Sequence, residues 1–532
     1  MGPGGGINNV IHKGTKVKIL SVIIAASIAA QAGLAAAAPS RLEAAQVEIL
    51  GASQADIALL NSLGVTRATR LALQAHPAGL HSVAADAAAA VAPDPVASYE
   101  TFVPVTAPPR LPVLENVLLT AYLDNVNDKT LAQLLALYHL PKSLLRGNDG
   151  AAVAHTIYAQ YFLNRSRDLG VKQRWITQAL AETDRKLNAL IARGAAHDDD
   201  AADAQENHAA HAYFRDAFFN NHEENRYGAV TNLLNDFVRH PNNTLTNTFL
   251  TTATIWVGGE AARNDPRILQ SFILSSYFSI RARALAERVE IRWQQSPQDH
   301  HRFRLATLIG GWSVPARRWL AKLHGDAAAV QALDQEHNQW LDINPAFHSV
   351  PVGLMLFEEP NWLEGLGAWQ RGADACNAAP TNLVCLTWPY VSFNQMPFLL
   401  GQVDFLLKAG AVDAARGILA LRNIPIDIFA GSFPLWDFGQ DPWLHREENL
   451  ERIAELYQNG DPGDDPSHFL LKQHKWGPGT ILCQVCHERQ GRQWAAGDVE
   501  RTLSIADEFP PIGAGNWPAV STTWYGATKR AP

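Results

Sequence analysis

From position 113 to about position 460, apolar residues return every three or four places with polar residues between them. That spacing predicts one helix after another. Asn264-Asp265-Pro266 supplies a capping side chain and a first-turn proline ahead of an amphipathic run that reaches Trp293. Ser313-Val314-Pro315 opens a further run through His324, closed by Gly325, and residues 326–341 form the next. Runs of alternating β-branched residues are almost absent, so the expected fold is all-α, with helices joined as antiparallel hairpins. Residues 398–410 and 411–423 read as one such hairpin, closed by Pro425, with Gly401, Ala414 and Ala415 as small residues suited to close helix contact.

The first 112 residues follow other patterns. His12, Lys13, Lys16 and Lys18 form a basic region, residues 19–34 are apolar and uncharged, and four alanines follow at 35–38. This three-part layout is that of a secretory signal covering residues 1–38, with cleavage near Ala37; a retained N-terminal anchor is the alternative. Residues 39–112 are rich in Ala and Pro and read as an arm or linker. No second apolar run is long enough to span a bilayer. The mature chain is therefore expected in the periplasm or secreted.

Composition narrows the picture only a little. Hydrophobic residues make up 47% and charged residues 18% of the chain, enough for a large core. The formal charge of −8 becomes −11 without the signal lysines (41 basic against 52 acidic residues), which argues against nucleic acid as a partner. The 398–423 segment resembles a tetratricopeptide-type hairpin, which implies a helical array, although no clear period of that family is met.

Candidate chemistry is concentrated in residues 461–532. Cys483-Gln484-Val485-Cys486-His487 spells C-x-x-C-H in a chain of only four cysteines. On a helical turn, positions i, i+3 and i+4 share a face, so two thiols and an imidazole can address one group. A local redox pair or half of a zinc site, with His474 completing a cramped Cys₂His₂ set, are the other readings. The five residues resemble the attachment site of c-type cytochromes. That resemblance implies one covalent haem c, thioether bonds at Cys483 and Cys486, and His487 as the proximal iron ligand. It is confined to the motif. No Met or His occurs in the 45 residues after His487, so a distal ligand would come from upstream, with Met355, Met396, His445, His468 and His474 as candidates, or the distal position stays open. Gly477-Pro478-Gly479 reads as a turn before the motif. Trp476, Leu482, Val485 and Trp494 supply apolar cover, and Arg489 and Arg492 are candidates for propionate contacts.

The remaining polar groups are less specific. Cys376 and Cys385, nine residues apart, are expected to form a loop disulfide in an exported protein, or else to share a metal with Cys483 and Cys486. His208 and His211, with His222, Glu223 and Glu224 behind them, form either a metal face or a solvated helix surface. Glu358-Glu359 before Pro360 suits acid–base chemistry or a helix cap. No G-x-S-x-G, Walker-type loop or H-E-x-x-H occurs. The expectation is an exported monohaem c-type protein in redox chemistry, either electron transfer or haem-based oxidation, acting with a redox protein or a small oxidant. The alternative is an exported helical scaffold whose C-x-x-C-H is structural.

Overall fold

The computed structural model describes residues 111–145, 149–194, 209–219, 226–261, 264–295, 313–343, 345–356, 361–378, 395–420, 442–459 and 471–481. Among them the fold is all-α, with one short antiparallel hairpin near the end. No helix in these residues is long and apolar enough to cross a membrane. The signal segment and most of the Ala/Pro-rich arm lie outside the described residues; the first described helix starts at Val113, where the sequence pattern changes.

The described residues fall into two compact units, divided after residue 189. The first contains α1 (Val113–Asp124), α2 (Lys129–Leu145), α3 (Gly150–Asp168) and most of α4 (Arg174–Gly194). Local chemistry sets their ends. The Asp128 carboxylate accepts from the Thr130 and Leu131 amides, at 2.8 and 3.1 Å, and Asp149 accepts from the Ala152 amide at 2.6 Å. Gly170 ends α3 at φ +82°, with the Val171 amide donating back to the Ser166 carbonyl at 3.0 Å, a left-handed cap that favours glycine. Helices α2 and α3 pack closely, burying Leu135, Ile157, Tyr161 and Phe162 completely. Arg165 of α3 donates to Asn127 Oδ1 at 2.7 Å, tying down the α1–α2 turn.

The second unit begins with α5 (Ala209–Phe219), α6 (Arg226–Arg239), α7 (Thr244–Glu260) and α8 (Arg267–Gln295). Helix α7 packs against the other three and is buried on nearly every side from Thr244 to Gly259. Four of its hydroxyls are satisfied within the helix: Thr248, Thr251, Thr252 and Thr254 each donate to the carbonyl four residues back. Gly258 permits a tight crossing, since a Cβ there would meet Ser271 and Phe272 of α8 at 2.9 Å. The expected start of α8 is correct. Asp265 accepts from the Arg267 amide at 2.9 Å and pairs with its guanidinium, immediately after which the helix begins.

Helices α9 (Ser313–Leu323), α10 (Ala327–Ile343), α11 (Pro345–Leu356) and α12 (Trp362–Ala378) follow. Gly325, at φ +69°, and Asp326, which accepts from the Ala329 amide at 3.0 Å, form the α9–α10 joint where the sequence predicts it. Val314, Leu333, Trp340 and Met355 share one core cluster. The hairpin expected from 398–423 is α13 (Gln395–Lys408) and α14 (Val412–Leu419), turned at Gly410 with φ +73°. Gly401 does allow close approach, to the indole of Trp369, and Ala415 is buried; Ala414, in contrast, is exposed, because it points away from α13. Described helices range from 8 to 29 residues in length.

Helix α15 (Pro442–Asn459) packs on α13 and α14. Strands β1 (Leu471–His474) and β2 (Gly477–Ile481) then pair antiparallel, and β2 packs on α7, α9 and α11. This corrects one expectation. Gly477-Pro478-Gly479 is the start of a strand, and the turn falls at Lys475–Trp476, where the ammonium lies 4.5 Å from the indole centroid. A two-stranded pair has two free edges, so Pro478 can sit in β2 without breaking an interior ladder.

Candidate functional site

Cys483, Cys486 and His487 lie outside the described residues, as do Arg489, Arg492, Trp494, Cys385, His468, His208, His222, Glu358 and Glu359. Strand β2 ends at Ile481, two residues before Cys483. For several others the backbone alone is described. Cys376 lies in the last turn of α12, Met396 in the first turn of α13, His445 in α15 and His474 at the end of β1, opposite Gly477. Met355, the other methionine of the helical part, is 7% exposed and packed into the apolar core beside Trp340.

His211 corrects the expectation of a solvated helix face. It is fully buried on α5, its ring against Phe249, and its Nε2 lies 2.8 Å from the Thr246 hydroxyl. That hydroxyl donates in turn to Asp236 at 2.5 Å. The chain His211–Thr246–Asp236 joins α5, α7 and α6 and reads as a core polar network.

Two other buried histidine clusters were not singled out by sequence. In the second unit, His337 of α10 is buried, and neither ring nitrogen has a hydrogen-bond partner among the described residues. Burial pushes its ring far below the usual histidine range, helped by His348 of α11 and by Arg318 and Arg317. His348 itself is pushed down to about 3 by burial. Arg317 is also buried and donates to Glu336 at 2.6 Å. The pair of imidazoles is thus held neutral inside a charged but paired layer.

In the first unit, Glu115 of α1, His139 of α2 and His155 of α3 converge. One ligand atom from each lies within 4.8 Å of the others, a donor set able to hold a metal ion. His139 Nδ1 stands 3.0 Å from His155 Nδ1, and His139 Nε2 stands 3.8 Å from Glu115 Oε1. Tyr138 donates to the other carboxylate oxygen at 3.0 Å and receives a hydrogen bond from Lys142 at 2.6 Å. Burial first, and the Lys142 charge second, hold His139 well below the usual range. Tyr158, against the same ring, is pushed up by burial and by Glu115. The His139 ring stacks on Phe162 at 5.8 Å, which fixes its plane. Glu115 and His139 are buried, while His155 is half-buried and gives the cluster an outward side.

The sequence does carry a trace of this cluster. His139 interrupts the apolar run Leu135-Ala136-Leu137-Tyr138-His139-Leu140, and a polar ring inside a buried stripe needs a partner. Nothing local names that partner, which lies 16 positions away on the next helix. No family model, no curated protein and no solved structure matches this chain.

Proposed function

We propose that this chain is an exported monohaem c-type protein of redox chemistry, with haem c held through Cys483 and Cys486 and with His487 on the iron. The observation that carries this reading is the motif Cys483-Gln484-Val485-Cys486-His487 in a chain otherwise nearly free of cysteine. The signal-like N-terminus supports it, because covalent haem attachment and a Cys376–Cys385 disulfide both belong to an oxidising compartment outside the cytoplasm. Strand β2 leads directly into the motif and packs on α7, α9 and α11, and α11 carries the buried, neutral His348. A c-type haem supplies one-electron chemistry, tuned by its axial ligands and its exposure. Cys483 and Cys486 would supply the tether and His487 the proximal imidazole, with Trp476, Leu482, Val485 and Trp494 as apolar cover. The distal position would be open or weakly held, since no Met or His follows His487 and Met355 packs in the core, with Met396 and the upstream histidines as the competing ligands.

The test is expression of the full chain with the c-type maturation machinery. Haem should remain on the polypeptide after acid–acetone extraction, and the Cys483→Ala, Cys486→Ala double variant should lose it. The reduced protein should bind carbon monoxide with a clear Soret shift. A colourless wild type without a haem mass adduct overturns the reading and leaves a helical scaffold with a structural C-x-x-C-H. A reduced spectrum indifferent to carbon monoxide overturns the open distal side, and its dependence on Met396→Ala would identify the ligand.

A further inference from the structure

Outside the terminal motif, we propose that Glu115, His139 and His155 form a binding site for a divalent first-row transition-metal ion, zinc being the best match. A neutral imidazole has one N–H and one lone pair. If the His139 N–H is on Nδ1 and donates to His155, the Nε2 lone pair faces the Glu115 carboxylate, and two acceptors oppose each other. If the N–H is on Nε2, its nearest acceptor is Glu115 Oε1 at 3.8 Å, beyond hydrogen-bond length. Either tautomer leaves a fully buried polar atom unmatched, and Nε2 has no hydrogen-bond partner among the described residues. Such atoms are rare because a buried polar group left without a partner forfeits its hydration with no return. A cation on His139 Nδ1 fixes the ring proton on Nε2, turned toward the Glu115 carboxylate, so that two acceptors no longer oppose each other there.

The surroundings match what a metal requires. The ligands come from three consecutive helices whose starts and turns are fixed by capping and by the Arg165 contact. A tetrahedral zinc with bonds of about 2.0–2.1 Å separates its ligand atoms by roughly 3.3 Å. The imidazole nitrogens, 3.0 Å apart, already stand at that scale, and the 4.8 Å spread closes with a shift of about an ångström or two in the Glu115 side chain. Tyr138 holds the far carboxylate oxygen, the kind of outer hydrogen bond that orients a metal ligand. Imidazole donors select zinc and its neighbours over calcium or magnesium. Lys142 adds a positive charge that opposes the ion, and the Glu115 carboxylate offsets it. Two histidines and one carboxylate leave a position for water or a small ligand, and half-buried His155 marks the side from which it enters.

Zinc binding to the full chain carrying Cys483→Ser and Cys486→Ser tests the site without the terminal thiols, and so independently of the haem reading. Competition against a chromophoric chelator should give one zinc per chain with sub-micromolar affinity, and cobalt should produce visible d–d bands. His155→Gln, at the half-buried ligand, should weaken zinc by at least about 100-fold, and Tyr138→Phe by about tenfold. No zinc in the parent chain, or equal affinity in both variants, overturns the proposal and leaves a hydrogen-bonded core cluster.

Discussion

At the scale of single residues, the tightest contact lies around Trp369. Its indole sits where Gly353 of α11 and Gly401 of α13 leave room, and a Cβ on either glycine would run into the ring. Neither glycine is there for its backbone freedom, since both lie within helices. Gly353→Ala should therefore destabilise by about 1–3 kcal/mol, read as a lower urea midpoint with an unchanged slope. Gly367, on the same helix as Trp369, is the control. A Cβ there meets nothing within 4 Å, so Gly367→Ala should stabilise by about 0.5–1 kcal/mol through helix propensity alone. Sequence identifies Gly401 as a contact residue because small residues in apolar helices invite one. It does not identify Trp369 as what fills the space, because that depends on how three helices meet.

Between elements, the α9–α10 pair shows what decides a joint. Its turn was legible at Gly325 and Asp326, where left-handed backbone and a capping carboxylate act within a few residues. Its lock was not. Arg317 and Glu336, 19 positions apart, are both buried and paired at 2.6 Å. Glu336→Ala leaves a guanidinium uncompensated in the core and should cost about 3–5 kcal/mol by denaturant titration, whereas replacing both partners with apolar residues should cost far less. Asn243 makes the complementary case at the start of α7. Its side chain accepts from the Thr246 amide at 2.7 Å, and Asn243→Ala should cost about 1 kcal/mol. The terminal hairpin was misplaced for a related reason: Gly-Pro-Gly announces a turn locally, but packing of β2 on three helices makes it a strand.

For the molecule as a whole, both units bury neutral histidines, and this fixes the response to acid. His139 in the first unit, and His337 and His348 in the second, resist protonation while folded, yet each takes a proton at about pH 6.5 when unfolded. Their contribution is complete above that pH. It is lost as pH falls toward about 3, where His348 itself titrates in the fold, at about 1.4 kcal/mol per pH unit for each histidine. Unfolding free energies measured between about pH 7 and pH 5 should fall steeply, and His348→Phe should reduce that slope by one histidine's share. A stability that is flat over this range would contradict the buried, neutral assignment. At this scale the all-α class was legible because 3.6-residue periodicity is plain in helices such as α4, α6 and α9, while alternating β-branched runs are almost absent. The meeting of Glu115, His139 and His155 was not, because three helices must assemble before it exists. The threonines of α7 carry a last implication, one that concerns ancestry. The hydroxyls of Thr248, Thr251, Thr252 and Thr254 donate to carbonyls of their own helix, whereas that of Thr246 reaches Asp236 and His211 on its neighbours. Thr248→Val and Thr251→Val should shift stability by less than about 1 kcal/mol. A lineage could therefore exchange hydroxyl for methyl along this central helix, generation after generation, and keep its architecture while its letters drift apart.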